Sequence, residues 1–136
     1  MKTCLTNVLA CCAATTLGSS GLAGEPTLES APPVVVATWP TAGSQTVDPG
    51  LAEIKVTFSK KMQEGSWSWS TWGEENFPEV TGTIHYQADH RTCVLPVKLK
   101  PGKLYATWIN SEFHKTFTDT DGEPALPYLL IFQTRK

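Results

Sequence analysis

The stretch Glu53-Ile54-Lys55-Val56-Thr57-Phe58-Ser59 decides the fold. In an extended chain Ile54, Val56 and Phe58 fall on one side, and Glu53, Lys55, Thr57 and Ser59 fall on the other. That period of two is the mark of a strand with one face buried. The same alternation recurs on both sides of this segment. Upstream, the β-branched run Val34-Val35-Val36-Ala37-Thr38-Trp39 stops at Pro40. Downstream, Ser66 to Trp72 reads SWSWSTW. In Thr81 to Gln87, Ile84 and Tyr86 oppose Thr83, His85 and Gln87. In Thr92 to Lys98, Cys93, Leu95 and Val97 oppose Val94 and Pro96. The segments KLYATWIN (Lys103 to Asn110) and PYLLIFQTR (Pro127 to Arg135) bring the expected total to about seven strands.

Turn formers separate these runs: Pro40-Thr41-Ala42-Gly43, Asp48-Pro49-Gly50, Pro101-Gly102 and Asp121-Gly122. No window of ten or more residues carries a helical period. The expectation is an all-β, Ig-like antiparallel β-sandwich of about seven strands, with a small barrel as the alternative. Pro96 lacks an N–H for a ladder, so its strand is expected at a sheet edge or at a bulge.

Size and charge agree with one such unit. The chain has 136 residues, 40% of them hydrophobic, which suffices for one packed core. Eleven Lys and Arg against thirteen Asp and Glu give a net charge of −2. General nucleic-acid binding needs a basic face that this composition does not supply.

The first 23 residues read differently from the rest. Lys2 precedes an apolar run from Val8 to Leu17, and Gly21-Leu22-Ala23 offers small residues for cleavage. This is the layout of a secretory signal peptide over 1–23, too short in its apolar part to span a bilayer. A minor alternative is a lipid anchor on Cys11 or Cys12. Cleavage after Ala23 removes Cys4, Cys11 and Cys12 and leaves Cys93 alone, so no internal disulfide can form. The expected location is secreted or periplasmic, with no membrane span. Residues 24–33, rich in Glu, Ser, Thr and Pro, read as a flexible lead-in to a sandwich domain over 34–136.

In Leu99-Lys100-Pro101-Gly102-Lys103-Leu104-Tyr105, a Pro-Gly turn is followed by a Tyr at the start of a strand. Sandwich domains use this arrangement for a corner tyrosine, whose ring packs inside while its hydroxyl bonds backbone across the connection. With Pro40, Gly43 and Val47, with the strand from Ile54 to Ser59 and Met62 after it, and with Asp119-Thr120-Asp121-Gly122 before Phe132-Gln133-Thr134, these residues resemble the SbsA-type bacterial Ig-like domain of S-layer proteins. The resemblance runs from about Pro33 to Lys136. Lys61 stands where the family commonly has Pro, and Glu123 where an Asn often follows the Gly. The resemblance implies a non-catalytic module of a secreted or cell-surface protein. Its expected partner is a protein or a cell-envelope component.

Several residues invite a chemical reading. Trp67, Trp69 and Trp72 could form a flat apolar platform for sugar rings, which makes a carbohydrate-binding module the alternative function and a glycan the alternative partner. The serines between them favour instead a core role for Trp67 and Trp69, with Trp72 out of phase unless a bulge intervenes. Trp108 shares its side of the strand with Leu104 and Ala106, opposite Tyr105. Asp119, Asp121 and Glu123 resemble a calcium loop but lack its further ligands and are equally a turn. His85, His90, His114 and Cys93 show no close metal-type pairing, so no metal or cofactor is expected. Glu74 and Glu75 beside the tryptophans are the only glycosidase-like feature. No nucleophile elbow, zinc helix or phosphate loop is present, and no enzyme activity is expected.

Overall fold

A computed structural model describes residues Gly24 to Lys136. The signal segment, the alternative lipid-anchor cysteines Cys11 and Cys12, and Cys4 lie outside the described residues. Eight strands and one short 3₁₀ turn make up the fold. They are β1 (Val35–Trp39), β2 (Glu53–Phe58), β3 (Trp69–Thr71), β4 (Glu79–Val80), β5 (His85–Tyr86), β6 (Thr92–Lys98), β7 (Leu104–Ile109) and β8 (Tyr128–Gln133). The 3₁₀ turn spans Glu74–Asn76 between β3 and β4.

The strands form two antiparallel sheets. In the first, β1 pairs with β2, β2 with β6, and both β4 and β5 lie against the far side of β6. In the second, β7 is flanked by β3 and β8. The core lies between them. Ile54, Val56 and Phe58 of β2 face it with Cys93, Leu95 and Val97 of β6 from one side. Tyr105 and Ile109 of β7 face it with Leu130 and Phe132 of β8 from the other. Burying each of the larger aliphatic and aromatic side chains stabilises the fold by about 1.5–3 kcal/mol.

The connection between β7 and β8 closes the sandwich. Its Phe117 is fully buried, 5.1 Å from the Phe58 ring and 5.6 Å from the Trp69 ring, so one side chain touches both sheets. Asn110 fixes that connection. Its Oδ1 accepts the Phe117 N–H at 2.9 Å, and its Nδ2 donates to the carbonyls of Phe117 and Ala125, each at 2.9 Å. Asn110 itself sits at φ 51°, a left-handed conformation that Asn tolerates better than most residues.

Tyr105 forms the expected corner. It is 2% exposed, and its hydroxyl accepts the Lys100 N–H at 2.7 Å.

Pro96 is a correction. Its strand, β6, lies in the middle of the first sheet, with β2 on one side and β4 and β5 on the other. The neighbouring chain rather than β6 absorbs the missing donor. β4 ends at Val80 and β5 begins at His85, so no strand runs along that edge beside Pro96. The Pro96 carbonyl still accepts the Thr81 N–H at 3.0 Å. Gly82 lies so close to the Pro96 ring that an added Cβ would meet ring carbons at 3.2 and 3.3 Å.

Two expected strands are shorter than their sequence pattern. SWSWSTW pairs only through Trp69–Thr71, and Thr81 to Gln87 only through His85–Tyr86. β4 has two residues and carries no alternation that the sequence could show.

Candidate functional site

The inward side of the second sheet belongs to the core, and its outward side is also apolar. On β7, Tyr105, Thr107 and Ile109 point inward, which turns Leu104, Ala106 and Trp108 outward. On β8, inward Leu130 and Phe132 turn Leu129 and Ile131 outward. In register, Leu129 lies beside Trp108, and Ile131 beside Ala106. Ser70 of β3 lies on the other side of Trp108. Trp72, one residue beyond β3, is 54% exposed. Ala106 is only 1% exposed although it points outward, because larger neighbours shade it. The pattern predicted that Trp108 shares a side with Leu104 and Ala106, and that side is this outer face.

The three tryptophans singled out in the sequence are not one platform. Trp67 and Trp69 are half-buried and pack against the core. Trp67 lies 6.5 Å from the Tyr86 ring, and Trp69 meets Phe117 edge-on. The Trp69 indole N–H is buried on the Cys93 side of the core and has no nitrogen or oxygen acceptor in the chain. Only Trp72 presents most of its surface to solvent.

The other candidates have structural partners. Asp119 is 1% exposed; its Oδ1 accepts the N–H groups of Asp121 and Glu123, each at 2.9 Å, and its Oδ2 lies 2.9 Å from Lys60 Nζ. Burial works to raise its pKa, but the Lys60 ammonium and the two N–H groups outweigh it and hold the carboxyl below the usual range. The same Lys60 also donates to the carbonyls of Glu29 and Ala31, tying residues 29–31 to the sandwich. The acidic loop is thus a turn whose first carboxylate, that of Asp119, is already engaged.

His85 Nδ1 sits 2.9 Å from the Thr83 carbonyl, and His90 lies 3.4 Å from Glu64. Cys93 is fully buried, and burial pushes its thiol up to about 12. Among the described residues no three His, Cys, Asp or Glu side chains group as metal ligands. Glu74 and Glu75 are exposed on the 3₁₀ turn. Glu74 shares a cleft of about 390 Å³ with Glu79 and the lysines Lys98, Lys100 and Lys103. Among the described residues no helix is long and apolar enough to cross a membrane.

A family model described as the bacterial Ig-like domain matches residues 29–134. The chain belongs to that family. This bacterial Ig-like domain is similar in fold to two solved structures. One is the S-layer protein rSbsC(31-844), with 19% identity and a TM-score of 0.51. The other is the surface layer protein SbsC, domains 1-6, with 18% identity and a TM-score of 0.51. Each match covers 79% of this chain and 14% of the other, so the chain corresponds to about a seventh of either structure. No curated protein matches it.

Signals for the outer face were present in the sequence. PYLLIFQTR is apolar at successive positions, which a strand with one solvated face does not need. Leu104, Ala106 and Trp108 form an apolar triplet opposite the core triplet. Alternation locates two faces but not which of them meets water, so the tryptophan-rich segment drew attention instead.

Proposed function

We propose that this bacterial Ig-like domain is a non-catalytic module of the cell envelope that binds a protein or envelope component through the outer face of its second sheet. The observation that carries this reading is the apolar surface of Leu104, Trp108, Leu129 and Ile131, bordered by Trp72. An exposed apolar area on a folded domain is costly to keep and marks contact surfaces. Three strands give it a fixed backbone, because β7 is hydrogen-bonded on both sides. Of the tryptophans singled out in the sequence, Trp72 belongs to this binding surface, and Trp67 and Trp69 support it from the core side. The S-layer titles of the similar structures support an envelope setting, and the signal-like leader supports export.

The test is co-sedimentation of the purified protein with cell-envelope fragments. The doubly substituted Leu104→Ser/Ile131→Ser variant is expected to lose retention. Lys55→Ala, on the opposite sheet, is expected to keep it. Equal retention of all three proteins would refute the assignment of this face.

A further inference from the structure

We infer that one end of this face is a carbohydrate subsite, formed by Trp108 and Phe113 and suited to a pyranose ring. The inference deepens the envelope-binding reading and rests on it for the source of the ligand. Phe113 is 84% exposed, the most exposed large apolar side chain among the described residues. Nothing in the fold requires it there. The Ser111 N–H donates to the His114 carbonyl at 2.8 Å, and the His114 N–H donates to Ser111 Oγ at 3.1 Å. These two bonds close a tight turn that holds Glu112 and Phe113 at its tip.

Beside that turn lies a groove of about 430 Å³, within the ~300–1,000 Å³ range of small-ligand sites. Trp108 and Phe113 line it with Ser70, Ser111, Glu112 and His114. The composition suits a sugar more closely than an apolar peptide. Two aromatic rings offer flat apolar faces to the C–H face of a pyranose with equatorial hydroxyls. The Ser111 hydroxyl, the Glu112 carboxylate and the His114 imidazole offer both donors and acceptors to the ring hydroxyls. Ser70 contributes to the groove wall, with its Oγ shielded from solvent and without a hydrogen-bond partner in the chain. Trp108 is anchored on the central strand between Ser70 and Leu129, so its backbone has no ordering left to lose on binding.

Isothermal titration of the purified protein with cellohexaose, and separately with hexa-N-acetylchitohexaose, tests the inference. Saturable binding of at least one is expected. Trp108→Ala should weaken it at least about tenfold and Phe113→Ala about threefold to tenfold, whereas Trp39→Ala, an exposed tryptophan on β1 of the other sheet, should change it less than about twofold. Phe113 is exposed enough that its removal leaves the fold intact, so this variant decides the matter even where Trp108→Ala destabilises the sheet. No heat with either oligosaccharide at about 10 mM, or undiminished binding by Phe113→Ala, overturns the subsite. Envelope retention that depends on Leu104 and Ile131 without any oligosaccharide binding would overturn the subsite and leave the envelope-binding reading standing. Oligosaccharide binding without envelope retention would do the reverse.

Discussion

The outward sides of β2 and β6 in one sheet and of β7 and β8 in the other are built by the same alternation and come out opposite in character. On β2 and β6 the outward side chains are Glu53, Lys55, Thr57, Thr92, Val94, Pro96 and Lys98. Glu53 and Lys55 lie 3.5 Å apart, and the hydroxyls of Thr57 and Thr92 are 3.1 Å apart. Val94, in the middle of that face, is 1% exposed between Lys55 and His85 in register. The corresponding positions of β7 and β8 are Leu104, Ala106, Trp108, Leu129 and Ile131. Across β2 and β6 the first face satisfies itself and covers Val94 under long polar side chains, and its exposed apolar surface lies at the edge, on Trp39 beside Lys55. The other leaves rings and branched chains in water. The second sheet is thus apolar on both sides, as sheets are when something covers both.

The largest effect is expected where the two sheets are joined. Asn110→Ala leaves the Phe117 N–H and the carbonyls of Phe117 and Ala125 without their buried partners, and puts Ala at φ 51°. A loss of about 4 kcal/mol is expected in urea unfolding. Phe117 would no longer be held between Phe58 and Trp69, and the faces would lose their fixed relation. A loss below about 1 kcal/mol would mean that the connection is held mainly by ring packing.

The Lys60–Asp119 pair is a second joint, since Lys60 follows β2 and Asp119 lies in the connection to β8. The Asp119 carboxyl is held below its ordinary value in the folded state. The stability it contributes is therefore fully present above the unfolded carboxyl value of about 3.9 and is lost as pH falls through the lower folded value. Asp89 behaves in the same direction. Its burial cost is outweighed by the N–H groups of Arg91 and Thr92 and the Thr92 hydroxyl. Thermal unfolding between pH 7 and pH 2 should show a steep acid limb that Asp119→Asn makes shallower. At pH 7 the same substitution should cost about 2 kcal/mol, because it leaves the Lys60 charge without its partner. An unchanged acid limb would show that other groups govern it.

How much of this was legible from residues alone follows from what alternation encodes. It encodes which side chains share a face, so β2, β6, β7 and the core triplets were readable, as was the corner at Tyr105. It does not encode hydrogen-bond neighbours. Pro96 was therefore expected at an edge or a bulge, whereas the chain interrupts the neighbouring strand between Val80 and His85. It also says nothing of what lies beyond a face. The serines that alternate with Trp67 and Trp69 pointed to a core role for both, but alternation alone does not name what they pack against. Phe117, which belongs to no strand, comes up against Trp69 and makes it part of the core. Phe113 had no periodic context and gave no signal at all.

The smallest expected effects sharpen the contrast most, because they separate stability from surface role. Leu104 is 39% exposed, so Leu104→Ser removes little buried area and should change unfolding free energy by no more than about 0.5 kcal/mol. Thr57→Val deletes one part-buried hydroxyl contact on the polar face and should cost about 0.5–1 kcal/mol. If the polar face serves only the fold, Thr57→Val lowers stability and leaves envelope retention untouched, while Leu104→Ser leaves stability untouched and lowers retention. Chemical denaturation and co-sedimentation on the same two variants read both quantities. The opposite pairing, with Leu104→Ser destabilising and Thr57→Val releasing the protein from envelope fragments, would mean that the apolar side of β7 is folding surface and that the contact surface lies on β2 and β6.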